Sequence, residues 1–206
     1  MLNNNKNPGS VSIIGGSGYT GAELIRLISK HAYFELNQVV ANRNAGKKIQ
    51  DIFPHLRHLK LPDFISFEQM NFDNVDLIFC ALPHSTSQEI IVKIPKGIKI
   101  IDLSADFRLE RIEEYERWYG SKHIAYSLQE EAVYGLTEIY KEKIKNGSLI
   151  ACTGCNSAAT LYPVLPLLSE GVINSDNLTI NIGAGVSGAG RDAKQNIIHA
   201  EVSEGI

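Results

Sequence analysis

The segment Gly15-Gly16-Ser17-Gly18-Tyr19-Thr20-Gly21 constrains this chain more than any other, because it lies where a strand gives way to a helix. An apolar strand is predicted over residues 11–14. After the glycines, Ala22, Leu24, Ile25, Leu27 and Ile28 recur with helical spacing to about Lys30. Glycine in such a junction permits a tight turn and close approach of a pyrophosphate, which the first N–H groups of the helix then face. Gly15, Gly16, Ser17, Gly18, Tyr19 and Thr20 are therefore the candidate cofactor-binding residues. The spacing is G-x-x-G-x-x-G rather than G-x-G-x-x-G, so a bare strand–helix turn stands as the competing reading.

The rest of the chain favours the dinucleotide reading. Strands are predicted over residues 36–41, 75–81, 99–103 and 149–152, and the 75–81 run is apolar throughout except for Asp76, as in a strand buried on both faces. Thr86 and Glu89 have capping-box spacing, which places a short helix after Pro83-His84. Strands alternating with helices predict a doubly wound parallel sheet of Rossmann type. From about residue 153 small residues take over. A helix start is predicted at 156–161, a strand at 178–182, a glycine-rich loop at 183–191 and a helix at 192–200. One strand and two helices make a poor domain, because nothing covers the strand's edges. The expected organisation is a polar, disordered segment over 1–10, a nucleotide-binding domain over 11–153 and the start of an α+β catalytic or dimerisation domain over 154–206.

Composition excludes several classes. With 206 residues, 44% hydrophobic content and 20 Lys+Arg against 23 Asp+Glu, the chain is an ordinary globular protein with no charge bias toward nucleic acid or an anionic membrane. No apolar run approaches the ~20 residues of a membrane helix. The Asn-rich residues 1–8 lack the apolar core of an export signal, and three cysteines give no disulfide framework, so a cytoplasmic enzyme is expected.

Four places carry candidate chemistry. The second strand ends at Ala41-Asn42-Arg43-Asn44, with a guanidinium where an NAD enzyme has a carboxylate; Asn42 and Arg43 therefore favour NADP, unless Arg43 is only a solvated loop charge. Cys80 reads as a core residue. Cys152 and Cys155 form C-x-x-C, but no second ligand pair follows to complete a zinc site, and no metal is expected. Cys155 opens a helix, whose N-terminus supports negative charge, so it is the better candidate nucleophile. Arg108, beyond the 99–103 strand, can clamp a phosphate or carboxylate, or form a salt bridge with Asp106 or a nearby Glu. His84 holds the equivalent place after the preceding strand and reads as a loop hydrogen-bonder. Arg191, after the glycine loop, is a second anion-binding candidate.

These stretches also carry a resemblance. The Gly15–Glu23 segment, Ala81-Leu82-Pro83-His84, residues 102–109, Trp118-Tyr119-Gly120, Ala132-Val133-Tyr134-Gly135-Leu136, Gly154-Cys155 and Val186-Ser187-Gly188-Ala189-Gly190-Arg191 occur in order. Together they resemble the N-acetyl-γ-glutamyl-phosphate reductases of the aspartate-semialdehyde dehydrogenase superfamily. The resemblance implies NADPH-dependent reduction of an acyl phosphate through a thioester on Cys155, in arginine biosynthesis. It implies that Arg108 holds the substrate phosphate and Arg191 a substrate carboxylate, in a dimeric or tetrameric enzyme. It further implies a downstream histidine as proton shuttle. His199 lacks the flanking pattern, so the chain reads as an N-terminal fragment. Thr153-Gly154-Cys155-Asn156-Ser157-Ala158 departs from the family's Pro-Gly-Cys-Tyr-Pro-Thr. Its Gly-Cys-Asn form resembles the reductases of carrier-protein-linked aminoadipyl or glutamyl phosphate, which are one alternative. A non-catalytic NADP-binding or redox module using Cys152 and Cys155 is the other.

Overall fold

The computed structural model describes residues 8–192 and 194–204, with the side chains of Ala200 and Glu204 outside that description. In chain order the first part holds β1 (Gly9–Ile14), α1 (Tyr19–Ile28), β2 (Phe34–Val40), α2 (Ile49–Ile52), β3 (Phe64–Ile65), β4 (Leu77–Cys80), α3 (Ser87–Ile91) and β5 (Lys99–Asp102). It continues with α4 (Ile112–Tyr119), α5 (Tyr126–Glu131), β6 (Val133–Gly135), α6 (Thr137–Asn146) and β7 (Leu149–Cys152). The strands pair in parallel in the order β3-β2-β1-β4-β5-β7-β6. This is the α/β doubly wound sheet that the strand–helix alternation predicts.

Alternation along the strands explains why both faces are covered. Val11, Ile13, Val39 and Leu77 face one side, where Ala22, Ile25 and Ile28 of α1 pack with Phe53 and Leu56. Ile14, Val40, Ile78, Cys80, Ile100 and Ala151 face the other, against Ile91, Ile94 and Phe107. Cys80 is a core residue as expected; its thiol is pushed well up by burial, with the Asp102 carboxylate adding to the effect. The chain runs outward from β1 through β2 to β3, then returns to β4 on the other side of β1. That reversal makes the β1–β4 pair the topological switch point of the sheet, the place where ligands bind in open α/β sheets.

The elements differ in detail from the expectations. β1 begins at Gly9, so the polar N-terminal segment is shorter than residues 1–10; Met1–Asn7 lie outside the described residues. Thr86 does stand at the N-cap of α3, but its backbone is already helical (φ −91°, ψ −31°) and its side chain makes no capping bond. The Gln88 N–H in that turn is taken by the Asp106 carboxylate instead (3.1 Å). A true capping box lies at Ser66 and Gln69.

Residues Thr153–Ile206 form a separate unit, the first ending at Cys152. It holds α7 (Cys155–Ser169), which continues through Pro163 and Pro166, two 3-10 turns (Val186–Ala189, Gln195–Ile197) and α8 (His199–Glu204). The strand expected at 178–182 does not form. Leu178, Ile180 and Ile182 alternate as a strand would, yet they are 41%, 46% and 42% exposed. No strand lies among the described residues of this unit to pair with them, and an unpaired strand leaves its backbone groups without partners. The helix expected over 192–200 is replaced by the Gln195–Ile197 turn and α8; Ala193 lies outside the described residues.

Candidate nucleotide and thiol site

The glycine loop is built by contacts that only glycine permits. Gly15 has φ +87°, and a Cβ there would lie 2.3 Å from the Ala81 carbonyl oxygen, so the loops after β1 and β4 touch. The Gly15 and Gly16 N–H groups both donate to the Val40 carbonyl (3.0 and 2.9 Å), which anchors the loop to the end of β2. Gly16 and Gly21 approach Val39 and each other too closely for a side chain. Gly18 is different. It is the N-cap of α1, with φ −84° and ψ 174°, and a Cβ there would meet nothing within 4 Å. The packing of the fold does not demand glycine at 18, and the space before the first turn of α1 is open. That open approach, with Tyr19 and Thr20 exposed beside it, fits a bound pyrophosphate.

Asn42 and Arg43 follow β2 in a 3-10 turn (Asn42–Asn44). The Asn42 side-chain carbonyl accepts from the Phe67 N–H (2.9 Å), fixing the turn. Arg43 is exposed and makes no side-chain hydrogen bond or ion pair within the described residues. Its guanidinium is thus available to an anion at the C-terminal edge of the sheet.

The loops after β4 and β5 are joined by a buried polar network, which is not evident from residue types alone. Asp106 is fully buried and accepts from the Ser85 N–H (2.7 Å), the Gln88 N–H (3.1 Å) and the Tyr115 hydroxyl (2.9 Å). Asp102 accepts from the Ser87 and Ser104 hydroxyls, both at 2.6 Å. Burial pushes the Asp102 carboxyl up and the serine hydrogen bonds pull it part of the way back. His84 acts as the loop hydrogen-bonder expected, its Nδ1 accepting from the Ala105 N–H (3.1 Å), with its ring 5.6 Å from that of Tyr119.

His123 closes the network and gives it a pH dependence. Its Nδ1 accepts from the Ala125 N–H (3.2 Å), so Nε2 carries the proton and donates to the Asp106 carbonyl (3.0 Å). Burial pushes this imidazole below its ordinary range, against a smaller opposing pull from Asp106. The unfolded chain then binds more protons than the folded one between the lowered folded value and the ordinary value of about 6.5. Stability is full above that value and falls as pH falls through it. His123→Gln is expected to shrink the drop in thermal midpoint between pH 7.5 and pH 5.5, read by circular dichroism. An unchanged drop contradicts this assignment.

Arg108 does not pair with Asp106, whose oxygens are already taken. Instead its Nε donates to the Cys152 carbonyl (2.7 Å) and one terminal nitrogen to the Leu103 carbonyl (2.9 Å). This fixes the half-buried guanidinium between the ends of β5 and β7, with donors remaining for an anion. Burial raises the Cys152 thiol, more than the nearby Arg108 lowers it, so Cys152 stays protonated at neutral pH.

In the second unit, Cys155 is an exposed free thiol and the first residue of the fifteen-residue α7, after Gly154 at the N-cap. Its Sγ lies 3.7 Å from the Asn156 side-chain oxygen. Arg191 is exposed just past the Val186–Ala189 turn, and His199 opens α8. Among the described residues no cluster of three or more His, Cys, Asp or Glu is placed to hold a metal ion, and no helix is long and apolar enough to cross a membrane.

Comparison with known proteins bears on both units. The profile described as semialdehyde dehydrogenase, NAD binding domain, matches residues 10–147, and that described as semialdehyde dehydrogenase, dimerisation domain, matches residues 155–206. The chain is 52% identical over 195 residues to an N-acetyl-gamma-glutamyl-phosphate reductase of Rhodobacter capsulatus, covering 95% of this chain and 57% of the relative. It is 48% identical to a probable chloroplastic protein of the same name from Arabidopsis thaliana, covering 95% of this chain and 49% of that one. The chain thus spans about half the length of these relatives. Aspartate semialdehyde dehydrogenase II from Vibrio cholerae superposes with a TM-score of 0.55 at 16% identity, over 79% of this chain and 47% of that chain. The enzyme from Candida albicans does so with a TM-score of 0.50 at 19% identity, over 80% and 48%.

Proposed function

Because the chain belongs to the semialdehyde dehydrogenase family, we propose that it carries the nucleotide-binding and thiol-bearing part of an NADPH-dependent N-acetyl-γ-glutamyl-phosphate reductase, an enzyme of arginine biosynthesis. The observation that carries this reading is the exposed Cys155 thiol at the N-terminus of α7 in the second unit. The names of the relatives at 48–52% identity support the acetylglutamyl substrate over the aminoadipyl one.

An acyl phosphate is an activated carbonyl. The Cys155 thiolate attacks it, a C–S bond forms, and the C–O bond to phosphate breaks with its electron pair leaving on inorganic phosphate. The helix N-terminus supports the thiolate's negative charge. The free donors of Arg108 receive the phosphate group, and Arg191 a substrate carboxylate. Bound NADPH supplies the hydride that takes the acyl group to the aldehyde and frees the thiol. Gly15 to Thr20 hold its pyrophosphate, and Asn42 and Arg43 its 2′-phosphate. The dimerisation-domain match supports a chain that works as an oligomer of itself.

Incubating the chain with N-acetyl-γ-glutamyl phosphate, without NADPH, is expected to release one equivalent of phosphate in a burst. Release no faster than spontaneous hydrolysis contradicts the proposal. Arg43→Ser separates the cofactors. Losing a charge-assisted contact of about 1.5–3 kcal/mol is expected to weaken NADPH binding at least tenfold and leave NADH almost unaffected, by fluorescence titration. Parallel weakening of both means that Arg43 does not read the 2′-phosphate.

A further inference from the structure

Ser85 is one of two described non-glycine residues with positive φ, at +67°; the other is Asn74, a residue type that tolerates this region. A serine held there is strained and persists only where its surroundings impose it. Here the imposing group is identifiable. One oxygen of Asp106 takes the Ser85 N–H and the other takes the Gln88 N–H, so a single carboxylate pins both sides of the turn. The Ser85 hydroxyl is also tied to the Ser121 hydroxyl (2.8 Å). Asp106 is itself held by its own N–H on the Ser104 hydroxyl (3.0 Å) and by His123 on its carbonyl. Its partners are all hydrogen-bond donors, with no cation among the described residues, so the carboxylate's charge is held by the geometry of this turn.

The place of the turn gives the strain a use. It follows β4 on the far side of the switch point from Arg43, and its connection touches the glycine loop at Ala81. A dinucleotide with its 2′-phosphate at Arg43 and its pyrophosphate at α1 extends its nicotinamide half toward the loops after β4 and β5. We infer that Asp106 is a positioning residue for the cofactor: its carboxylate holds the His84–Ser85–Thr86 turn, with Ser85 left-handed, in the conformation that receives the nicotinamide half of NADPH. This rests on the NADPH reading above.

The test is calorimetric titration of the whole chain with NADPH and, separately, with adenosine 2′,5′-bisphosphate, which lacks the nicotinamide half. Asp106→Asn replaces one acceptor oxygen by a donor facing an N–H. It is expected to weaken NADPH about tenfold and to leave the bisphosphate within about twofold. Adding Ser85→Gly, which adopts positive φ without strain, is expected to restore most of the NADPH loss, measured against Ser85→Gly alone. Ser85→Val, disfavoured at this φ, reproduces the selective loss without altering the buried carboxylate, and carries the test should Asp106→Asn not fold. Equal weakening of both ligands, unchanged NADPH binding in Ser85→Val, or no recovery with Ser85→Gly overturns the inference. Parent chain that binds the bisphosphate but gains nothing from the nicotinamide half overturns it too. Failure to bind either ligand overturns the NADPH reading itself.

Discussion

Gly15→Ala is expected to lower the thermal midpoint of the chain by roughly 5–15 °C and to abolish NADPH binding. An added Cβ meets two costs at once: the left-handed φ of +87° and backbone atoms of Ala81 at 2.3 and 2.7 Å. Neither atom can swing aside as a side-chain tip would, because the Ala81 N–H is itself bonded to the Ile14 carbonyl (2.7 Å). A loss of about 2–5 kcal/mol is typical of such strain and overpacking, and each kcal/mol shifts the midpoint by about 2–4 °C in a chain of this size. Gly18→Ala is the informative contrast. With φ −84° and nothing within 4 Å of a Cβ, alanine fits the fold, so the midpoint is expected to stay within about 2 °C. NADPH binding is nonetheless expected to weaken at least tenfold, because the methyl occupies the approach to the first turn of α1. Wild-type affinity in Gly18→Ala places the pyrophosphate elsewhere. A parental midpoint in Gly15→Ala contradicts the loop conformation.

The same two glycines show what is legible in a sequence of this kind. Gly15, Gly16 and Gly21 are required by packing and Gly18 is not, yet all four read alike as letters. The buried strands were legible because apolar runs such as that ending at Cys80 satisfy both faces of a parallel sheet. Short edge strands were not: β3 has two residues and β6 three, too few to show a period. At 178–182 the alternation is present but the pairing is not, since a strand is a property of two segments and only one is visible locally. Thr86 and Glu89 met the spacing rule for a capping box and lost to a carboxylate from Asp106, twenty residues away in the chain.

The candidate site divides in the same way. Arg43 and Cys155 are legible as candidates because each depends on its place at the end of one element. Arg108 reads from the sequence as a candidate for anion binding, but its anchoring on two strand-end carbonyls belongs to the folded sheet. The Asp106 network joins residues from 85 to 123 through hydrogen bonds and one positive φ. The alternation of Asp102, Ser104 and Asp106 at a strand end was its one local signal.

The largest chemical effect is expected from Cys155→Ser. A serine hydroxyl is far less acidic than a thiol and a much weaker nucleophile at neutral pH, so acyl transfer from the phosphate is expected to fall by at least a thousandfold. The fold is expected to be unaffected, since Cys155 is exposed at the first position of α7, where serine is well tolerated. Cys152→Ser is expected to retain acylation: that thiol is held protonated by burial and its backbone carbonyl, not its sulfur, contacts Arg108. The direct measurement is peptide mapping by mass spectrometry after the chain has been mixed with N-acetyl-γ-glutamyl phosphate and quenched in acid. A single N-acetylglutamyl thioester on Cys155, absent in Cys155→Ser and present in Cys152→Ser, is the predicted result. An adduct on Cys152, or none on any thiol while phosphate is still released, contradicts the account.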